Sequence, residues 1–186
     1  RMPLFAEDDP AEGFSYLVPN IQGATLSIVA INNRFLFPYA AAHRHNVAPG
    51  QANVSIAVPN AVTPTAPLQA STITRDTPFV WSGLGQSATT FVWRLEFANT
   101  NEYMFVVTNR TTVTLPTFAD GFALGTGVPA FWSVETHGNV VDVDAAAGPG
   151  GYMDAMAQRV SDQPFGPSNA DGFFTESERR DFTLSN

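Results

Sequence analysis

The stretch from Phe122 to Gly138, FALGTGVPAFWSVETHG, leads a glycine-containing turn into a strand-like segment that carries Trp132 and Val134 on one face. Successive side chains of a strand point to opposite faces of a sheet, so large apolar residues on one face need a second sheet to cover them. We therefore expect the chain after Pro64 to pack around this segment.

The same alternation recurs upstream. In FVWRLEF at residues 91–97, four apolar side chains face one way, while Arg94 and Glu96 face the other. The runs PFVW, EYMFVVTN and TTVTLP are also strand-like, and residues typical of turns separate them. Short strands at this spacing are typical of a β-sandwich. We predict a buried core formed by Trp81, Trp93 and Trp132 and surrounded by Phe79, Leu95, Phe97 and Val134.

The first 63 residues follow a different pattern. Residues 1–12 are acidic and contain proline, which is typical of an extended arm or a disordered end. Residues 13–63 predict a small sheet of four strands, at Phe14–Val18, Leu26–Ala30, RFLFPY and NVSIAVP. Between the last two strands, AAAHRHN predicts an exposed loop. The proline-rich segment Pro59–Thr77 predicts a linker that turns into the first edge strand of a second domain.

The order of the segments after Pro64 carries a resemblance to a known family. TPFVW, FVWRLEF, TTVTLPTF, FWSV and RRDFTLS resemble strands B, C, E, F and G of a fibronectin type III-like sandwich, in the form found in exported bacterial surface proteins and lipoproteins. The resemblance covers residues 64–186 and implies two facing sheets. The chain differs from the family in two places: Ala130 stands where strand F usually carries a tyrosine, and residues 139–180 replace a short loop.

This long connection is expected to have structure of its own, because structureless loops of such length are uncommon in compact domains. Tyr152, Met156 and Val160 recur at every fourth residue, so GGYMDAMAQRV at residues 150–160 predicts a short amphipathic helix. The sequence thus predicts an all-β protein with an arm at residues 1–12, a small β-sheet domain at 13–63, and a fibronectin type III or immunoglobulin-like β-sandwich at 64–186 with a helix-containing insertion at 139–180.

The acidic residues of the insertion predict a calcium site. Asp142 and Asp144 share one face of an extended segment, and Asp154 or the carbonyls of the Gly-Pro-Gly-Gly turn would complete a set of hard oxygen ligands. A solvated acidic loop without metal is the preferred interpretation of these residues, and the calcium site is the candidate to test. No other cofactor is expected.

Two further patterns have the residue types of a metal site. His43 and His45 would point the same way in an extended segment, and His137 would add a third ligand if the two domains met. An exposed loop without metal is the preferred interpretation of the first two. Four later residues match positions of an EF-hand calcium loop: Asn169, Asp171, Gly172 and Glu178. Because Pro167 occupies the first ligand position, we interpret this match as coincidence.

Composition argues against several classes of function. The net charge is −8 and the nine Arg residues are scattered, so the chain has no basic stripe for nucleic acid. With no cysteine, it has neither disulfides nor thiolate chemistry. No apolar run approaches the roughly 18 residues of a membrane-spanning helix, so no transmembrane segment is predicted. The GxSxG and HExxH motifs are missing, and we do not expect an enzyme.

The sequence therefore predicts a non-enzymatic structural or adhesive module of a bacterial cell surface or extracellular assembly, such as a filament subunit. A small N-terminal sheet would expose an edge to copies of the chain or to a neighbouring surface protein. The alternative is a carbohydrate-binding module whose glycans stack on Tyr39, Trp93 or Tyr152, although a core position explains each of these residues better. An enzyme or metal protein is a third hypothesis, which a pocket with buried, convergent acids or histidines would favour.

Overall fold

The computed structural model describes residues 21–32, 36–83, 90–98, 103–117, 126–138, 143–149 and 171–185. The strands are β1 (Leu26–Asn32), β2 (Tyr39–Val47), β3 (Thr63–Ala66), β4 (Ser71–Ile73), β5 (Phe79–Ser82), β6 (Thr90–Phe97), β7 (Tyr103–Thr108), β8 (Thr112–Val113), β9 (Pro129–His137), β10 (Gly172–Glu176) and β11 (Arg180–Leu184). A short helix, α1 (Val143–Ala147), lies between β9 and β10. Strands dominate these residues, which confirms the all-β class.

Strand β9 is the centre of the larger sheet. Along one side it pairs antiparallel with β6, from Thr90 opposite His137 to Phe97 opposite Ala130. Along its other side, β11 pairs with residues 129–132 and β10 with residues 135–137. The sheet continues from β6 to β7, from β10 to β2 and β1, and from β11 to β4, which is parallel to β11. The segment that carries Trp132 and Val134 is thus the strand at the middle of this sheet.

Strands β10 and β11 are successive parts of one run against β9. Between them, the Ser177 N–H donates to the Val134 carbonyl at 3.0 Å, and the Val134 N–H donates to the Ser177 hydroxyl oxygen at 2.9 Å. Four steps along this run, from Glu176 to Arg180, span three along β9. An extra residue of this kind is a β-bulge. The two halves of the run then have different outer neighbours, β2 and β4.

A smaller sheet, β3-β5-β8, shares one apolar core with the larger sheet. The ring of Phe79 on β5 lies 4.9 Å from Trp93, 5.2 Å from Trp132 and 5.3 Å from Phe182, measured between ring centroids. Trp81, Trp93 and Trp132 are each at most 1% exposed. The predicted core is confirmed, since Phe79, Leu95 and Val134 are buried and Phe97 packs against the cluster.

The N-terminal strands differ from the prediction. Strand β1 confirms the one predicted at Leu26–Ala30, but AAAHRHN, predicted as a loop, lies in β2. Alanine is a weak strand former, and this segment is a strand because β1 and β10 pair with its two sides. The described part of RFLFPY is a bend up to Pro38. The arm at residues 1–12 and the strand predicted at Phe14–Val18 lie outside the described residues.

The segments between β2 and β5 also differ from the prediction. NVSIAVP is not a strand, although its residues alternate between half-buried and exposed. The carbonyl of Ser55 instead accepts a hydrogen bond from Arg44 Nη1 at 3.0 Å. The segment Pro59–Thr77, predicted as a linker with one edge strand, contains two strands, β3 and β4. Each of these pairs with a later strand, which local composition does not reveal.

The insertion predicted at residues 139–180 contains β10, which the sequence did not predict, and α1. Phe173 and Phe174 are adjacent and so do not alternate with polar residues, which hid the strand pattern. The helix predicted at residues 150–160 lies outside the described residues. In the described ranges, no helix has the length and apolar character needed to cross a membrane.

The larger sheet crosses the predicted domain boundary between residues 63 and 64. Strand β2 precedes this boundary and pairs with β10, from Gly172 opposite His43 to Glu176 opposite Tyr39. The division into residues 13–63 and 64–186 stays a prediction, and the described strands of the two parts share one sheet.

Candidate functional site

The larger sheet has a second face, opposite the one that carries Trp132, and we call it the outer face. Because directly paired residues point to the same side, the register places Val92, Glu135 and Phe174 on this face. Val92 and Phe174 are buried in a small apolar cluster with Tyr39, Phe105 and Val107. The outer face is therefore covered as well, although it carries several charged residues.

Strand β9 places an acid and a histidine at the centre of the outer face. Glu135 is 0% and His137 is 2% exposed, and His137 Nε2 lies 3.4 Å from Glu135 Oε2. Glu176 of β10 pairs directly with Glu135 and is also buried. Burying charged groups is costly unless they are paired. The buried carboxyl groups of this cluster therefore need positive charge or hydrogen-bond donors close to them.

Arg94 supplies positive charge to the cluster from β6. Its guanidinium lies 3.5 Å from Glu96 and 4.0 Å from Glu176, and the Ser133 hydroxyl donates to Glu176 Oε1 at 3.3 Å. Arg179 also pairs with Glu96. Burial, together with the neighbouring positive charge of Arg94, lowers the pKa of Arg179 from its usual value. The result is a network of ionic groups that join β6, β9 and β10.

The network is open to solvent at one end. Tyr103, on the edge strand β7, is 45% exposed, and the Arg94 guanidinium lies 4.9 Å from its ring centroid. The rings of Tyr103 and Phe105 are nearly parallel, at 15° and 6.4 Å between centroids. Arg179 similarly lies 5.7 Å from the ring of Phe131. Aromatic rings beside arginines and a carboxylate have the chemistry to stack on a sugar and hydrogen-bond its hydroxyls.

Of the three aspartates predicted to bind calcium, only Asp144 lies among the described residues. Asp144 lies in the first turn of α1, and this correction removes the extended face that it was expected to share with Asp142. Asp142 and Asp154 lie outside the described residues, so the calcium site stays a prediction. Among the described residues no three potential metal ligands converge.

The histidines are divided between two strands. His43 and His45 on β2 have nearly parallel rings, 6.0 Å apart between centroids, while His137 lies on β9 with β10 between them. His45 Nδ1 is 2.8 Å from the Ser27 hydroxyl oxygen, and the His45 N–H donates to Asp171 Oδ1 at 2.7 Å. These bonds tie β1, β2 and the start of β10 together.

The EF-hand match is not a loop where it is described. Gly172, which would occupy its sharp turn, is the first residue of β10. Glu178, which would be its last ligand, accepts hydrogen bonds from Arg180. Asn169 and Pro167 lie outside the described residues. This geometry agrees with the interpretation of the match as coincidence.

The aromatic candidates for glycan stacking have different positions. Trp93 is in the core and has no exposed surface, so it is not available to a ligand. Tyr39 is half-buried, with its ring 5.7 Å from that of Phe174. Tyr152 lies outside the described residues. The pair formed by Tyr103 and Phe105 was missed, because EYMFVVTN is apolar on both faces and alternation could not assign one of them to solvent.

A shallow, open depression lies beside β7 and β8. Its lining includes Val106, Thr108, Thr112 and Thr114, and its one charged residue is Arg110. A catalytic acid or base must come within hydrogen-bond distance of its substrate. The buried Glu135 and His137 do not line this depression, so it does not combine with them into a catalytic site.

Strand β1 forms a second candidate surface. In the described part of the chain it is paired with β2 alone and lies at the end of the larger sheet. Val29 is 44% and Ile31 is 38% exposed, and Leu36 and Phe37 in the following bend are exposed as well. Comparisons with protein-family models, curated proteins and solved structures found no match to this chain.

Proposed function

We propose that the chain is a non-enzymatic structural or adhesive module of a bacterial cell surface or extracellular assembly, and that it acts by pairing its exposed edge with another protein chain. The observation that carries this proposal is the apolar edge of β1, which no other described strand covers. An exposed strand edge offers unpaired N–H and C=O groups to an added strand. Protein–protein contact is the function that such a surface serves best.

The strand arrangement supports the fibronectin type III-like part of the proposal. In immunoglobulin-like sandwiches, strands A, B and E lie in one sheet and strands C, F and G in the other. The pairing β3-β5-β8 corresponds to the first set, and β6-β9-β11 corresponds to the second. Such sandwiches serve many functions, so this correspondence supports a scaffold and the edge supplies the function.

The burial of the ionic residues supports a non-enzymatic role. Glu135 and His137 have the residue types of an acid–base pair, but both are enclosed in the sheet face. Their neighbours Arg94, Ser133 and Glu176 join adjacent strands. We infer that this network holds the strands in register instead of acting on a substrate.

Fractionation of the source cells tests the proposal. An antibody against the chain should find it in the exported or surface fraction, and sedimentation should find it in particles heavier than one chain. Replacing Val29 by lysine in those cells should release the chain from the particles, whereas Leu68→Lys, at a 69% exposed position away from β1, should not. A single chain recovered from the cell interior would contradict the proposal.

A carbohydrate-binding module is the second candidate, and the parallel rings of Tyr103 and Phe105 favour it. Isothermal titration with cellohexaose, chitohexaose and mannohexaose tests this candidate directly. Binding that Tyr103→Ala abolishes, and that Leu68→Ala leaves unchanged, would support a glycan site beside Arg94. Absence of heat with all three sugars would count against it and leave the edge proposal unaffected.

A further inference from the structure

Strand β1 lacks the features that protect sheet edges. Natural edge strands are commonly guarded by charged residues, prolines or bulges. The sequence of β1, LSIVAIN, has neither a charged residue nor a proline, and its one register shift lies between Leu26 and Ile28. From Ile28 to Asn32 the strand is regular and pairs residue by residue with β2. Within the described ranges no strand pairs with the other side of β1, which therefore offers a regular template to another strand.

The charge distribution indicates which kind of chain can approach this edge. All 17 acidic residues lie outside residues 13–75, a segment that holds three of the nine Arg residues. Two copies of a chain with net charge −8 repel each other over most of their surfaces. Close like charges at an interface are unfavourable. Strand β1 itself carries no carboxylate, so two copies can pair through it without carboxylates directly opposite each other.

We propose that β1 pairs antiparallel with β1 of a second copy, across a two-fold axis at Ala30. This inference rests on the proposed function and names its partner. In such a pair, Val29 of one copy lies opposite Ile31 of the other, and the reverse pair forms on the other side of the axis. Apolar cross-strand pairs of this kind stabilise sheets.

This register suits the exposed face of the described strand, which carries Val29 and Ile31. An axis at Val29 would leave Ile31 opposite Ser27, and one apolar pair would be lost. An axis at Ala30 gives two equivalent Val–Ile pairs on one face and keeps only small side chains at the axis. The same residues then contribute from both copies, as a two-fold interface requires.

Light scattering on the intact purified chain tests the association. The expected result is a rise from the mass of one chain to that of two over a concentration series up to about 1 mM, since small interfaces are weak. The rise should occur at lower concentration in higher salt, because salt screens the repulsion between acidic copies. Val29→Lys should abolish the rise, while Leu68→Lys should leave it unchanged.

Disulfide trapping tests the register. The chain has no cysteine, so a single Ala30→Cys replacement places one thiol on each copy. Cα atoms of directly opposite residues in antiparallel strands lie about 4.5–5.5 Å apart, which suits a disulfide. Under mild oxidation, Ala30→Cys should form a covalent dimer at the concentrations at which the chain associates. Leu68→Cys, which is more exposed, should cross-link far less.

Each outcome decides the inference. A wild-type chain that stays monomeric throughout the series overturns it, as does association that Val29→Lys leaves unchanged while circular dichroism shows a native fold. Association without selective trapping of Ala30→Cys overturns the register. If the purified chain is monomeric but native material from the source cells is heavy, the partner is a different protein, and the proposed function stands while this inference fails.

Discussion

Replacing Trp132 by alanine should lower the free energy of unfolding by about 3 kcal/mol. The residue is at most 1% exposed, and its ring packs edge-on against Phe79 at 5.2 Å. Buried Trp→Ala changes cost about 3–5 kcal/mol through lost contacts and a residual cavity. The indole N–H of Trp132 has no hydrogen-bond partner among the described residues, and an unpaired buried donor itself costs about 1–3 kcal/mol. Because Trp132→Ala also removes this unpaired donor, part of the lost stability is offset, and we expect a cost at the low end of the range of about 3–5 kcal/mol.

Trp132→Phe separates the two contributions. It keeps an aromatic ring against Phe79 and removes the unpaired donor, so it should cost less than about 1.5 kcal/mol. Urea unfolding followed by circular dichroism measures both variants, and with a slope of about 1–3 kcal/mol per molar urea the alanine variant should unfold about 1–3 M earlier. If Trp132→Phe is as destabilising as Trp132→Ala, the N–H has a partner and the reasoning is wrong. A cost below about 1 kcal/mol for Trp132→Ala would contradict the central position of β9.

Three further changes test other parts of the structure. Gly138→Ala should lower the free energy of unfolding by about 1–3 kcal/mol, because a Cβ there would overlap the ring of Phe173. In a Phe173→Ala background, where that ring is absent, the loss should largely disappear. Arg94→Met should cost about 1–3 kcal/mol in chemical unfolding, because it removes the cation beside two carboxylates, whereas Met at the exposed Arg75 should change stability by less than about 0.5 kcal/mol. Calcium should increase hydrogen-exchange protection at residues 143–149 and should fail to do so in Asp144→Asn; unchanged exchange in the wild type would remove the predicted ion.

The inner face of the larger sheet could be predicted because its residues are large and alternate strictly. The alternation puts Trp93 and Leu95 on one face of β6, and Trp132 and Val134 on one face of β9, and all four lie in one core. The sequence carries no such signal for β2. Its Ala40–Ala42 run becomes a buried strand because β1 and β10 flank it, and its partners in β10 lie more than a hundred positions away in the sequence.

The candidate surfaces were harder to predict because alternation reports which face a residue occupies and not what covers that face. Glu135 and His137 lie on the strand face opposite Trp132 and Val134, so their pattern suggests contact with solvent, yet both are buried. The edge of β1 is the converse case. The alternation of Leu26, Ile28 and Ala30 predicted this strand correctly. Val29 and Ile31 on its other face are apolar and exposed. Only the order of the strands in the sheet shows that β1 lies at an edge of the described sheet.

The exposed edge depends on a strand from the other end of the chain. Phe174 of β10 lies opposite Ala41 of β2 on one side and opposite His137 of β9 on the other. Its ring is 5.7 Å from that of Tyr39 and 5.2 Å from that of His137. Strand β10 is thus the link through which β2, and therefore β1, joins the centre of the sheet. A fragment of residues 13–63 would lack this link and expose both sides of the β1-β2 pair, and isolated two-stranded pairs are marginally stable in water. The β1 edge proposed for assembly is therefore a property of the intact chain, because β10 covers the other side of β2.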